Sequence, residues 1–242
     1  MRLAVMSDVH ANLEALEAVL ADIETRHVDA VCCLGDVVGY GADPIPCLEL
    51  INQTCDIKLL GNHEYTALGR LPQQTLNAVA RASAEWTQVQ LGDRAFQIIA
   101  EFTMNASREG SHFVHASPCE PDKWHYILTT AEADRAFKHM RENICFVGHT
   151  HLPAIITQSP AGKHRQQVGH DFDPDPDSRY LVNVGSVGQP RDRDPRACYV
   201  TFDSGEQEVL YHRVEYDITR AQQKMRHADL PALLIDRLQA GK

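Results

Sequence analysis

Apolar runs and helical stripes alternate through the first sixty residues. Leu3–Met6 is apolar and stops at Ser7-Asp8, which predicts a buried strand ending in a polar loop. Behind Asn12, a good cap, Leu13, Leu16, Val19, Leu20 and Ile23 recur at helical spacing. Val28–Leu34 reads as a second strand, cut off by Gly35-Asp36, and Ile57–Leu60 as a third, cut off by Gly61-Asn62. Between them Asp43-Pro44, a cap and a first-turn proline, opens a helix through about Asn52. Such alternation predicts a parallel sheet with helical crossovers. A long helix is expected from about Pro72 to Leu91, with Leu76, Val79, Ala80, Ser83, Trp86 and Leu91 on one side. From about Ala95 the pattern turns to β, with Phe102–Asn105 and Ser111–His115 flanking the turn Ser107–Gly110. Thr130–Glu142 is expected as helix and Ile144–Val147 as strand. Pro153–Gln158 and Gly162–Val168 form a predicted hairpin across Ser159–Gly162. Tyr180–Val184, Ala197–Phe202 and Glu208–Val214 follow as strands, and 217–240 as a helical segment with Met225, Leu230, Leu233, Leu234 and Leu238 as its apolar positions. This predicts one α/β domain over residues 1–242, whose second half continues as hairpins. A helical insertion at about 65–95 is placed to act as a lid.

Charge narrows the range of partners. The 242 residues carry 23 basic and 33 acidic side chains, a net −10, which argues against a surface for long nucleic acids. A small phosphorylated substrate, such as a nucleotide, stays compatible, because a bound metal supplies positive charge locally. No apolar run of about 18 residues predicts a membrane span. Asp8 and His10 come too early for a signal peptide. The seven irregularly spaced cysteines read as free thiols in a reducing cytoplasm. The thirteen histidines are the unusual number.

Open parallel sheets collect ligands at the carboxyl ends of their strands. Here those ends carry Asp8-x-His10, Gly35-Asp36, Gly61-Asn62-His63-Glu64, His115 and Gly148-His149-Thr150-His151. Imidazole, carboxylate and one amide suit borderline divalent ions, whereas a calcium or magnesium cage would be nearly all oxygen. Asp8, His10, Asp36, Asn62, His115, His149 and His151 are too many ligands for one ion and suit two ions sharing a carboxylate. Two divalent cations against the charges of Asp8 and Asp36 would leave net positive charge for an anionic substrate and an acidified water.

In this order, these motifs resemble the calcineurin-like metallophosphoesterases over Met1 to about Tyr211. The similarity is nearest to small prokaryotic phosphoesterases of the cyclic-phosphodiesterase-like and diadenosine-polyphosphatase-related group. Asn183–Asp192 resembles that group's late glycine-rich motif, with Val184 where proline is more usual. The resemblance implies a two-sheet β-sandwich flanked by helices, four layers in all. It implies Asp8, His10, Asp36 and His151 on a first ion, and Asp36, Asn62, His115 and His149 on a second. Asp36 then bridges, and a hydroxide held between the ions attacks phosphorus. His63 is implied as the acid at the transferring phosphoryl group, protonated near its reference pKa of about 6.5. Two divalent transition-metal ions are expected, manganese first, with Fe, Zn, Co or Ni as alternatives. Asn62, His63 and Arg191 are the candidate substrate contacts. The implied activity is hydrolysis of a small phosphodiester, cyclic nucleotide or dinucleoside polyphosphate.

Other readings compete. A non-catalytic scaffold shares this fold, as in the retromer, but the complete ligand set with His63 argues for chemistry. A phosphomonoesterase or protein phosphatase stays open, and a nuclease is disfavoured by the charge. Gly185–Asp192 reads equally as a backbone phosphate cradle or a structural turn, and Gly39-Tyr40-Gly41 as a flexible turn. His125 could edge the site, with Trp124 and Tyr126 stacking a base or merely packing a loop. The acidic 171–177 stretch lacks the glycine and glutamate of a calcium loop. The C-terminal leucines could face the core or a second subunit, so homo-oligomerisation stays open.

Overall fold

The computed structural model describes residues 1–72 and 76–242. The first strand, β1 (Arg2–Met6), pairs in parallel with β2 (Ala30–Cys33), which pairs in parallel with β3 (Ile57–Lys58). β10 (Ala197–Asp203) lies antiparallel against the other side of β1, and β11 (Glu208–Val214) closes that edge. The second sheet has the order β4 (Asn105–Arg108), β5 (Ser111–Val114), β6 (Ile144–Val147), β9 (Arg179–Asn183), β7 (Ala154–Gln158), β8 (His164–Val168). Its β5-β6-β9 centre is parallel and its edges are antiparallel hairpins.

Alternation along each strand decides what fills each layer, because successive side chains point to opposite faces. Leu3, Val5, Cys32 and Leu34 face Phe113, Ile144, Phe146, Tyr180 and Val182 between the sheets. Phe113 and Phe146 stack there at 5.5 Å. Ala4, Met6 and Cys33 instead turn outwards to α1 (Leu13–Glu24), α2 (Pro44–Thr54) and α5 (Asp93–Ala100). On the far side Val114, Cys145, Val147 and Leu181 pack on α6 (Thr130–His139). The result is the expected four-layer helix–sheet–sheet–helix sandwich. Each large side chain buried between the sheets contributes about 1.5–3 kcal/mol relative to exposure. All seven cysteines are buried and unpaired.

Several elements differ from expectation. The segment from Ala95 is helical, not β: Ala95, Ile98 and Ile99 are buried in α5 at helical spacing. The long helix begins only at α4 (Ala78–Gln90), where the Asn77 side chain accepts from Ala80 N–H, and residues 73–75 of that expectation lie outside the described residues. The helix expected to Glu142 stops at His139 because Arg179, from β9, takes the carbonyls of Phe137 and Met140. The terminal helical segment is two helices, α7 (Ile218–His227) and α8 (Ala232–Ala240), broken at Asp229, with φ +52°, and Pro231. Asp43 makes no side-chain cap for α2; its carboxylate takes Lys224 Nζ of α7 at 2.9 Å. Leu230, Leu234 and Leu238 bury against Met225, with Tyr40 and Trp86 packed on the cluster. Among the described residues no helix is long and apolar enough to cross a membrane.

Candidate metal centre

Every loop that leaves a parallel strand at its carboxyl end reaches the same place. The β1 and β2 loops run side by side, joined by Asp8 N–H to Gly35 O, His10 N–H to Asp36 O and Ala11 N–H to Val37 O. After β3, a short α3 (Asn62–Ala67) starts at Asn62. His115 follows β5, and His149 and His151 follow β6. Five of the expected ligands, Asp8, His10, Asp36, His149 and His151, have left-handed backbone with φ between 49° and 66°. Each such conformation costs on the order of 1–3 kcal/mol and is held by its surroundings, as is common at functional sites.

The structure brings six of the seven expected ligands together; the seventh, Asn62, heads α3 directly after Gly61, beside the Asp36 carboxylate. Ligand atoms of Asp8, His10 and His151 lie within 4.8 Å of one another, as do those of Asp36, His115 and His149. Asp36 also groups with His10 and His63, so it stands between the two sets. Each carboxylate is tied by one oxygen and offers the other. Asp8 Oδ2 accepts from His149 N–H at 3.0 Å, and its Oδ1 faces His151 Nε2 at 3.3 Å. Asp36 Oδ1 accepts from His63 N–H at 2.9 Å, and its Oδ2 lies 3.3 Å from His115 Nε2. Glycines permit this approach: a Cβ at Gly61 would strike the Asp36 carboxylate, and one at Gly148 would strike Asp8 and Ser7.

Second contacts orient the imidazoles. His10, His115 and His151 donate from Nδ1 to the carbonyls of Val38 (3.3 Å), Leu34 (3.2 Å) and Gln189 (2.6 Å). In a neutral ring this leaves the Nε2 lone pair pointing inwards, as metal ligation requires. His10 Nε2 and His151 Nε2 then face each other at 3.1 Å, two acceptors without a proton between them. Asp8 Oδ1, Asn62 Oδ1, His115 Nε2 and His149 Nε2 are buried without a hydrogen-bond partner. Buried polar atoms are rarely orphaned. A donor set of this kind, converging on one small volume, fits divalent cations.

The electrostatics agree. Burial opposes ionisation of Asp8 and Asp36, yet the facing histidines, His151 for Asp8 and His115 for Asp36, outweigh it and hold both carboxyls below their ordinary range. Burial lowers His149 to about 3, with His115 adding to the effect. At His115 the opposing burial is overcome by Asp36, and the ring is pushed up to about 9. The field there favours a cation on Nε2. His63 departs from expectation: burial depresses it below its ordinary value, so the protonated acid is not the favoured form of the free protein. Its ring touches Tyr40 at 4.5 Å and His10 at 4.8 Å.

Three contributors lay unrecognised in the sequence. Glu64 is fully buried and accepts N–H bonds from Asp36, Val37, Val38 and Gly61. Burial and Asp36 push its carboxyl up to about 7 against the pull of those donors. A glutamate three residues after Gly61 at a helix start is a capping signal that pointed to it. Tyr40 is no flexible turn: its ring lies 4.5 Å from both His10 and His63. Gln189 holds His151 by its carbonyl and reaches Arg191 by its side chain.

The glycine-rich segment is a brace, not a backbone phosphate cradle. Its N–H groups at Val187, Gly188 and Arg191 are taken by the carbonyls of Ser7, Asp8 and His151, and that of Gln189 by Ser186 Oγ. Trp124 is buried against Tyr65 and His115, and His125 turns away to Glu120. Tyr126, 48% exposed, stacks on His149 at 4.1 Å.

The sequence profile described as the calcineurin-like phosphoesterase superfamily domain matches residues 1–207. An uncharacterized protein of Methanocaldococcus jannaschii is 36% identical over 99% of this chain and 98% of its own length. The crystal structure of a metallophosphoesterase from Sphaerobacter thermophilus is 40% identical, covers 100% of both chains and superposes with a TM-score of 0.88. A hypothetical protein from Pyrococcus horikoshii shares the fold at 18% identity, with a TM-score of 0.79 over 100% of this chain and 98% of that one.

Proposed function

Because the chain belongs to the calcineurin-like phosphoesterase superfamily, a family of phosphate-ester hydrolases, we propose that its strand-end cluster is a two-metal centre acting on a small-molecule phosphodiester. The supporting observation is the place of Asp36 between two groups of ligand atoms. Asp8, His10, Asp36 and His151 would hold one ion, and Asp36, Asn62, His115 and His149 the other. Manganese is our first choice, with Fe, Zn, Co and Ni as alternatives for such a donor set. When bound, the ions supply charge to bind phosphate oxygens and acidify a water.

The chain's own groups do the rest. The Asp36 and Asp8 carboxylates are preorganised by backbone N–H groups, so no reorganisation is needed at the moment of reaction. His63 lies at the edge of the centre, half-buried, beside Tyr40. An anionic phosphoryl group next to it favours the imidazolium, because an opposite charge raises a histidine's pKa. The proton therefore comes to His63 with the substrate and is available to the leaving oxygen. Asn62, at the head of α3, offers its amide to the same phosphoryl group.

Hydrolysis of bis-p-nitrophenyl phosphate with manganese tests this reading, with metal content measured in parallel. Wild type is expected to turn over with two ions per chain. Asp36→Asn should lose both ions' normal occupancy and the activity. His63→Ala should keep the metal and lose about a hundredfold or more in kcat. Metal-loaded protein that cleaves neither this diester nor a monoester would sink the catalytic reading.

A further inference from the structure

Arg191 and Arg237 come from distant parts of the chain and converge on one oxygen. Arg191 follows the glycine-rich segment, and Arg237 lies in α8, beyond the 1–207 family match. Arg191 Nη2 donates to Gln189 Oε1 at 2.9 Å, and Arg237 Nη1 donates to the same oxygen at 3.2 Å. Two arginines nearby are paired instead: Arg213 meets Asp192 and Asp194, and Arg196 meets Asp194. Among the described residues no carboxylate pairs with Arg191 or Arg237, in a chain with 33 acids against 23 bases. The Nε of each is buried without a hydrogen-bond partner. Arg191 also bonds the Tyr40 hydroxyl, yet two like charges share one neutral acceptor with the Nε of each unspent, an electrostatically incomplete arrangement that an anion would complete. Burial, and then the charge of Arg191, depress Arg237, with Tyr40 acting the other way.

The pair adjoins the centre on one side. Gln189, which carries both guanidiniums, also holds His151 Nδ1 by its carbonyl at 2.6 Å. The Arg191 guanidinium lies 6.0 Å from the centroid of Tyr40, whose ring touches His10 and His63. A chain leaving the centre past His63 therefore meets the arginines one aromatic ring further on. Tyr126, stacked on His149 at 4.1 Å, also feels the charge of Arg191, so Arg191 stands near both aromatic rings.

We propose that Arg191 and Arg237 form an anion subsite beside the centre that takes a second phosphate of the substrate. It rests on the metal-centre reading above and narrows it. The substrate class becomes a polyphosphate-bearing nucleotide, such as a dinucleoside polyphosphate, rather than a compact cyclic diester. Guanidinium forks suit phosphate oxygens, whereas a cyclic mononucleotide has no second phosphate to offer.

The test compares wild type with Arg237→Ala and Arg237→Lys. The first readout is the ratio of kcat/KM on diadenosine tetraphosphate to that on bis-p-nitrophenyl phosphate, with manganese. That ratio should fall about tenfold or more in Arg237→Ala and recover in part in Arg237→Lys, which keeps the charge. The second readout is calorimetric titration of inorganic tripolyphosphate in excess manganese against a protein-free blank, where Arg237→Ala should weaken binding at least about fivefold. Parallel loss on both esters with unchanged tripolyphosphate binding would mean that Arg237 only docks α8, and would overturn the subsite. An unchanged ratio with unchanged binding would do the same. If wild type cleaves neither ester yet binds tripolyphosphate through Arg237, the subsite stands and the catalytic reading falls.

Discussion

Four backbone N–H groups from two loops end on the carboxylate of Glu64, which has no place among the metal ligands. Three of them belong to the loop that carries Asp36, so Glu64 sets where the Asp36 carboxylate stands. Glu64→Ala would leave those buried donors unpaired, at about 1–3 kcal/mol each where water cannot reach them. Urea denaturation should show a loss of about 3 kcal/mol or more. The metal content of the folded fraction should fall with it. Glu64→Gln keeps one oxygen but turns an amide NH2 against N–H donors, and should fall between the two. Full metal content in Glu64→Ala would show that the Asp36 loop stands without this tether.

Strand pairing places a histidine where protonation opposes folding. In β11, His212 stands opposite Tyr199 of β10, its ring 4.8 Å away, and its Nε2 meets Thr201 Oγ1 at 2.8 Å. Burial pushes His212 down to about 4, helped by Arg26 and opposed by Asp22 and Asp171. The unfolded chain takes up this proton near the reference value of about 6.5, the folded chain only well below it. Between those values the unfolded state binds more protons, so stability falls as pH falls. The contribution is fully present above about 6.5 and is lost towards pH 4. Denaturation of wild type and His212→Gln across that window should show a shallower fall in the variant. Equal slopes would mean that His212 titrates alike in both states. The same scale explains α5. The pattern from about Ala95 read as β, but burial of Ala95, Ile98 and Ile99 on one side is helical spacing.

At the scale of the whole molecule, two sheets deliver their loops to one end of the sandwich, and the charges meet there. The centre exists only in the folded chain, because Asp8 and His151 come from different sheets. Metal that binds only the folded state stabilises it by mass action, by about 2.7 kcal/mol per site at a hundredfold excess over Kd. Manganese-loaded protein should therefore melt at a higher temperature than chelator-treated protein, with the shift growing with metal concentration. Asp36→Asn should lose most of that shift. A melting temperature indifferent to manganese would argue that no folded-state site exists. The C-terminal helices belong to the same end: α7 reaches Glu14 and Asp43 through Lys224, and α8 brings Arg237 to Gln189.

The sequence alone determined the strand–helix alternation and the metal-ligand residue types at strand ends, because period and motif are local properties of the chain. Asp8, His10, Asp36, Asn62, His115, His149 and His151 needed no coordinates to be named, and the fold gathers the first three with His115, His149 and His151. What depends on contacts distant in sequence was hidden. Arg179 of β9 ends α6, Lys224 of α7 draws Asp43 away from capping, and burial depresses His63. The fate of the glycine-rich segment was hidden too, since only packing shows its N–H groups occupied by the β1 and β6 loops and by Ser186. Arg237 carries no motif and sits in an ordinary helical stripe. Its meeting with Arg191 is a product of how α8 docks, which depends on the energy of the whole core rather than on any local pattern.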